Sequence, residues 1–357
     1  MERNNLTPMI KLWEEPSAEE IGNDPTEFLQ RLGGPTMLKF SGQDTNRCRI
    51  VTTLLHGNEP SGLNAIYHWI KLNSPAPAVD IYFFIASIET ALEPPGFYFR
   101  HLPGHRDLNR CFRPPFDDHE GLLAKALLDE FDKLKPECII DIHNTSGAGP
   151  AFAVSVKENH KNDAIASLFT HRLIVADVFL GALMEIATDE LPIVTIECGG
   201  VEDSHSEELA YEGLLNFFNT EDIFLSASPH YFLERLIHPV RLEILPHCSL
   251  TYSQNLQADF DFTLRDDIEH LNFQTIDTNT CLGWTGNDGL ETFNVRNAKG
   301  HDVLGEYFQL INGGLYPIQT LKIFMATGSA EIAKSDCLFY VSKIEDVSPP
   351  ELKAVNL

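Results

Sequence analysis

The sequence predicts an α/β fold: a mixed, largely parallel sheet flanked by helices, followed by a smaller β-rich domain. Three observations predict it. Short apolar runs rich in β-branched and aromatic residues recur along the first two thirds of the chain, helix-like stretches lie between them, and the texture changes past about residue 230. At 357 residues the chain exceeds the size at which a single core usually stops growing, so we divide it into a larger domain over 1–230 and a β-rich domain over 231–357.

The opening 30 residues are polar and weakly periodic, and no element is assigned there. Four runs read as strands: RIVTTLL (49–55), VDIYFFIAS (79–87), CIIDIHN (138–144) and PIVTIECGG (192–200). Their nearly continuous apolar character is that of strands covered on both faces. SGLNAIYHWIKLN (61–73), EGLLAKALLDEFDKLK (120–135) and IASLFTHRLIVADVFLGALMEI (165–186) carry helix-like patterns, and strands alternating with helices imply a largely parallel or mixed sheet. Beyond 230, PVRLEIL (239–245), FDFTLR (260–265), TFNVR (292–296) and DCLFYVSKI (336–344) are short and strand-like. Turn signals separate them at Gly286-Asn287-Asp288-Gly289 and Asn312-Gly313-Gly314.

Composition narrows the function classes. Apolar residues make up 43% and charged residues 22% of the chain, which is ordinary globular usage and excludes wholesale disorder. The formal net charge of −26 repels phosphate backbones and anionic membrane surfaces, so no nucleic-acid or membrane partner is expected. MERNNLTPMI has no apolar signal core and no stretch approaches the roughly 20 apolar residues that span a bilayer; the expected location is cytoplasmic. Seven scattered cysteines without a CxxC pair read as reduced, packed thiols rather than a disulfide framework.

In open α/β sheets, ligands bind beyond the carboxyl ends of the strands, and this sequence puts unusual polar residues there. His56 follows the first strand, with Glu59 one turn later; His143 closes the third in DIHN, and Glu197 interrupts the fourth in TIECGG. Asp141 and His143, two apart in one strand, share a face. A catalytic zinc needs about three protein ligands and one open position. His56, Glu59 and His143 make such a set, and Glu197 can then act on water as general base. An isolated HxxE is common by chance and a buried glutamate is often structural, but the coincidence at three separate strand ends favours a site. His68 and the remaining histidines receive no ligand role.

With RDLNRCF (106–112) added, the chain resembles the zinc-dependent M14-type hydrolases, and specifically the succinylglutamate desuccinylase/aspartoacylase family. HGNEPSG (56–62), DLNR (107–110), DIHN (141–144) and IECGG (196–200) occur in the family's order across roughly residues 35 to 215. The resemblance implies a zinc-carboxypeptidase-like fold with one Zn²⁺ per chain on His56, Glu59 and His143. It makes Glu197 the base and Asn109 and Arg110 the grip on a substrate carboxylate, a task that suits the planar arginine fork. Asp107 reads as an orienting group. The family's arginine in an NPRA-like stretch, which stabilises the oxyanion, has no counterpart in SIETALEPPGFYFRHLPGHRDLNR; Arg106 is assigned this catalytic role, with Arg100 the other candidate.

The expected reaction is therefore hydrolysis of an amide bond in a small N-acyl amino acid or related amide. A metallocarboxypeptidase acting on short peptides is the alternative within the same chemistry, and a catalytically dead binding module is the alternative outside it. The partners expected are small molecules, and a homo-oligomer stays open. From Leu173 to Glu234 there is no Arg or Lys, and Glu202, Asp203, Glu207 and Glu208 follow the catalytic glutamate. An acyl group that ends in a second carboxylate, such as succinyl, is thus poorly served, although acids at a helix N-terminus are also favoured by its dipole.

Overall fold

The computed structural model describes residues 10–145, 147, 149–176, 179–225, 233–286, 288–335 and 337–344. Two compact units part between His238 and Pro239. The first contains strands β1 (Lys11–Glu14), β2 (Thr36–Phe40), β3 (Asp44–Thr53), β4 (Val79–Ile85), β5 (Ile139–Thr145), β6 (Phe152–Ser155), β7 (Arg172–Val175), β8 (Ile193–Gly200) and β9 (Glu234–Ile237). They form one nine-stranded sheet in the order β1-β2-β4-β3-β5-β8-β6-β7-β9. The pairs β2/β4 and β6/β8 are antiparallel and every other pair is parallel. Because β9 pairs with β7, the first unit runs past the expected 230/231 boundary.

Helices α1 (Pro25–Leu32), α2 (Ser61–Lys71), α3 (Ile88–Leu92), α4 (His119–Leu134), α5 (His160–Ser167) and α6 (Ser204–Asn219) complete this unit. The period of two along each central strand splits the core between the faces of the sheet. Val51, Phe83 and Ile140 join one cluster with residues of α1, α2 and α6, whereas Ile50, Phe84 and Ile139 join another with Leu123, Leu127 and Phe131 of α4. The near-continuous apolar runs are the consequence. One cation lies inside: the fully buried Arg49 donates to Glu137 and to the carbonyls of Phe217 and Glu221, and its guanidinium sits 5.4 Å from the Phe217 ring centroid.

Two expectations are corrected. Residues 165–186 are not one helix: α5 ends at Ser167, Arg172–Val175 is strand β7, and Leu183–Ile186 is a 3₁₀ turn, with Asp177 and Val178 outside the described residues. The run Leu173-Ile174-Val175 fits either period, and pairing with β6 and β9 decides for a strand. The polar opening also holds structure. There α1 is started by Asp24, whose carboxylate accepts from the Glu27 N–H, and stopped by Gly33 at φ 63°, so short capping signals stood in for long periodicity.

The second unit has two five-stranded sheets. The expected strands appear as Val240–Ile244, Phe262–Leu264, Phe293–Asn294 and Phe339–Lys343, shorter than their sequence runs; Asn287 and Asp336 lie outside the described residues. Asn312 and Gly313, at φ 52° and 80°, join the antiparallel strands Phe308–Ile311 and Gly314–Pro317. Two successive positive φ values are those of a two-residue hairpin loop.

Candidate metal centre

The site is built where β3, β5 and β8 lie side by side. Beyond Thr53 the chain turns through Leu54 at φ 53° and reaches His56 and Glu59 before α2 begins. Gly57 is required here by close packing: a Cβ would lie 2.6 Å from Thr90 Cγ2 of α3. Gly62 serves the same purpose in α2, where a Cβ would lie 2.3 Å from Thr53 Oγ1. The small residues of HGNEPSG therefore let two helices press onto the strand end that presents the imidazole and the carboxylate.

His56, Glu59 and His143 are all buried, and one ligand atom from each lies within 4.8 Å of the others. His56 Nδ1 is 2.9 Å from Glu59 Oε1, His143 Nδ1 is 2.6 Å from Glu59 Oε2, and the two Nδ1 atoms are 3.1 Å apart. Behind each ring stands a carboxylate. Asp107 Oδ1 is 3.0 Å from His56 Nε2, and Asp141 Oδ2 is 2.7 Å from His143 Nε2. An ionised carboxylate only accepts, so each Nε2 carries a proton and each Nδ1 of a neutral ring points a lone pair inward. Two lone pairs and a carboxylate facing one another across about 3 Å demand a cation between them. Left to protons alone, the cluster charges itself: burial opposes it, yet Asp141 and Glu59 raise His143 well above the ordinary imidazole range. Burial likewise pushes Glu59 up, but His56 and His143 outweigh it and hold its carboxyl below the usual carboxylate range. Burial also works against Asp107, which His56, Arg100 and Arg110 nonetheless keep low. Nitrogen and carboxylate donors of this kind, with carboxylates orienting the rings, suit zinc.

Glu197 lies opposite His143 in the parallel β5/β8 register. Its Oε2 is shut from solvent and has no hydrogen-bond partner among the described residues. Burial raises this carboxyl to about 7, while the charges of His143, His56 and Arg100 pull against the rise. A carboxyl poised near neutrality beside a cation-demanding cluster is equipped to take and return a proton.

The loop between α3 and α4 supplies the remaining groups. Asn109 is buried; its Oδ1 accepts from the Leu183 N–H at 2.9 Å, which aims the amide, and its Nδ2 lies 3.4 Å from His143 Nε2. Since that Nε2 already donates to Asp141, Asn109 Nδ2 keeps donor capacity. Arg110 donates to the Asn109 carbonyl at 2.7 Å, and its guanidinium enters no ion pair among the described residues. Arg106 stands apart from the cluster: it is paired with Asp118 and also donates to the Pro115 carbonyl. Arg100 occupies the site instead, with Nε 3.0 Å from Asp107 Oδ2 and Nη1 3.5 Å from Glu59 Oε1. Sequence alone could not rank the two, because the loop has no periodicity and its path decides which guanidinium arrives.

Asn144 is a residue that sequence reasoning passed over. It is buried, accepts from the Ser61 N–H at 3.1 Å, and donates to Ser61 Oγ at 2.8 Å and to the Gly199 carbonyl at 3.0 Å. It thereby ties the ends of β5 and β8 to the start of α2, and its own N–H donates to Glu59 Oε2 at 3.3 Å. Glu202, Asp203, Glu207 and Glu208 are exposed, and Asp203 caps α6 by accepting from the His205 N–H. The acidic run is thus a solvated helix start. No helix among the described residues is long and apolar enough to cross a membrane.

The fold and cluster together define a class: a mixed-sheet α/β protein with a buried His/Glu/His centre at the strand ends. No family model matches the chain, and no curated protein sequence matches it. Solved structures do. A succinylglutamate desuccinylase/aspartoacylase from Rhodobacter sphaeroides is 16% identical with a TM-score of 0.55, over 87% of this chain and 88% of that one. A family protein of the same description from Shewanella amazonensis SB2B is 12% identical with a TM-score of 0.53, over 86% and 93%. A third, from Shewanella frigidimarina NCIMB 400, is 13% identical with a TM-score of 0.51, over 86% and 92%. The chain shares the fold of these succinylglutamate desuccinylase/aspartoacylase family structures.

Proposed function

We propose that this chain is a zinc-dependent hydrolase of that family, cleaving an amide bond in a small N-acyl amino acid or related amide. The observation that carries the reading is the inward convergence of two imidazole Nδ1 atoms on Glu59, each ring fixed from behind by an aspartate. One zinc ion per chain would be held by His56, Glu59 and His143, and would supply Lewis acidity towards water and an amide carbonyl. Glu197 takes the proton of the attacking water as the C–O bond forms to the carbonyl carbon, and then gives it to the amide nitrogen as the C–N bond breaks and the amine leaves. Arg100 stabilises the negative charge that develops on the carbonyl oxygen. Arg110, which enters no ion pair among the described residues, grips the substrate carboxylate, and Asn109 donates beside it. A peptide C-terminus offers the same carboxylate, so the carboxypeptidase reading rests on the same pair.

The test is a screen of N-acyl amino acids against dipeptides with the zinc-loaded protein. A second substrate carboxylate needs a cation beyond Arg110 and the Arg100 assigned to the carbonyl oxygen, and leaving it unpaired in a closed site costs several kcal/mol. Neutral or cationic N-acyl amino acids should therefore exceed N-succinylglutamate and N-acetylaspartate in kcat/KM. A preference of about tenfold for either of these polycarboxylates, roughly 1.4 kcal/mol of transition-state binding, would contradict this specificity. Faster turnover of dipeptides than of every acyl amino acid would select the carboxypeptidase reading.

A further inference from the structure

A second cluster of metal-ligating side chains lies outside the site just described. His105, in the loop between α3 and α4, and His119 and Glu120, which open α4, bring one ligand atom each within 4.8 Å of one another. His105 Nδ1 is 2.7 Å from Glu120 Oε1, and His119 Nδ1 is 3.3 Å from the same oxygen. The two rings are 6.3 Å apart at 77°, so both nitrogens approach one carboxylate from different sides. Glu120 is 13% exposed, whereas His105 and His119 are 44% and 57% exposed. All three line a cavity of about 520 Å³ that His101, Glu89 and Glu93 also line.

From this geometry we propose a second divalent transition-metal site formed by His105, His119 and Glu120, open towards that cavity. Ligand bonds of about 2.1 Å at tetrahedral angles set donor atoms about 3.4 Å apart; His119 Nδ1 stands at nearly that distance from Glu120 Oε1, and His105 Nδ1, at 2.7 Å, has only to draw back slightly to admit an ion. Two imidazoles and one carboxylate select zinc, cobalt or nickel over magnesium and calcium, which take oxygen ligands. The positive end of α4 opposes a cation at its first turn, while Glu89 and Glu93 on the cavity wall favour one. The site is accordingly weaker than the buried centre. An ion here ties the loop at residue 105 to the first turn of α4, and so pins the segment that carries Asp107, Asn109 and Arg110.

Equilibrium dialysis of the full chain against micromolar free Zn²⁺, followed by metal analysis, tests this without reference to turnover. The expected counts are two ions per chain for the wild type, one for His105→Ala/His119→Ala, and one for His143→Ala. The altered rings of the double variant are exposed, and a milder His119→Gln should keep the fold while weakening the second site tenfold or more, about 1.4 kcal/mol. A wild type that holds one ion, lost in His143→Ala and retained in the double variant, overturns the second site and leaves the buried centre standing. A double variant that still holds two ions also overturns it. One ion lost only in the double variant would instead contradict the buried centre.

Discussion

The two clusters use the same set of side chains, two histidines and one glutamate, and differ in what stands behind them. In the buried cluster, Asp107 and Asp141 hold the far nitrogen of each ring, so tautomer and orientation are set before any ion arrives. In the outer cluster the His105 and His119 rings are about half exposed, and the only carboxylate at hydrogen-bonding distance among the described residues is Glu120 itself. Orienting carboxylates raise ligand basicity and remove rotational freedom that binding must otherwise cost. The buried cluster thus has the features of a preorganised centre, and the outer one those of a site that forms as the ion binds. The comparison also separates chemistry from anchoring: the buried cluster has beside it, on the neighbouring strand, Glu197, whose Oε2 has no hydrogen-bond partner among the described residues.

The largest expected effect lies on that carboxyl. Glu197→Gln keeps shape but cannot accept a proton, and turnover should fall by about 10²–10⁴-fold with zinc content unchanged; a variant retaining a tenth of the wild-type kcat would move the base elsewhere. Next comes the choice between the two arginines. Arg100→Ala should lower kcat by about 10²–10³-fold, whereas Arg106→Ala, which removes hydrogen bonds to Asp118 and the Pro115 carbonyl, should leave kcat within about twofold. The reverse order would return the oxyanion role to Arg106. Third, Asp141→Asn should weaken zinc at the buried centre by about 10–100-fold and leave the outer site untouched, as metal titration of each site would show.

The smallest effect is on the metal-free protein. Burial raises the Glu197 carboxyl from 4.5 to about 7 in the folded state. Between those values the folded chain therefore binds at Glu197 the proton that the unfolded chain has released, and this group's contribution to stability falls with rising pH before levelling above about 7. Glu197→Gln lacks that loss, so its Tm relative to wild type should be higher at pH 8 than at pH 4. A difference independent of pH would show that the carboxyl is not raised.

Much of the centre was legible because its residues interrupt strong patterns. His56, His143 and Glu197 each break an apolar run at a strand end, where a polar side chain costs too much to be casual. What stayed hidden depended on contacts between distant segments. Arg100 reaches the site through a loop of irregular path, Asn144 acts by linking three elements, and Gly57 is fixed by the approach of α3 rather than by its own conformational freedom. In the fold, the three consecutive apolar residues of β7 fit a helical period as well as a strand's, and the caps of α1 lie in an otherwise polar stretch.

The most direct test of the central claim is a count of zinc in the purified wild type and in His143→Ala after dialysis against a chelator strong enough to strip the weaker outer site. The account predicts one ion per wild-type chain and none in the variant, with both proteins folded by circular dichroism. Undiminished zinc in His143→Ala would contradict it.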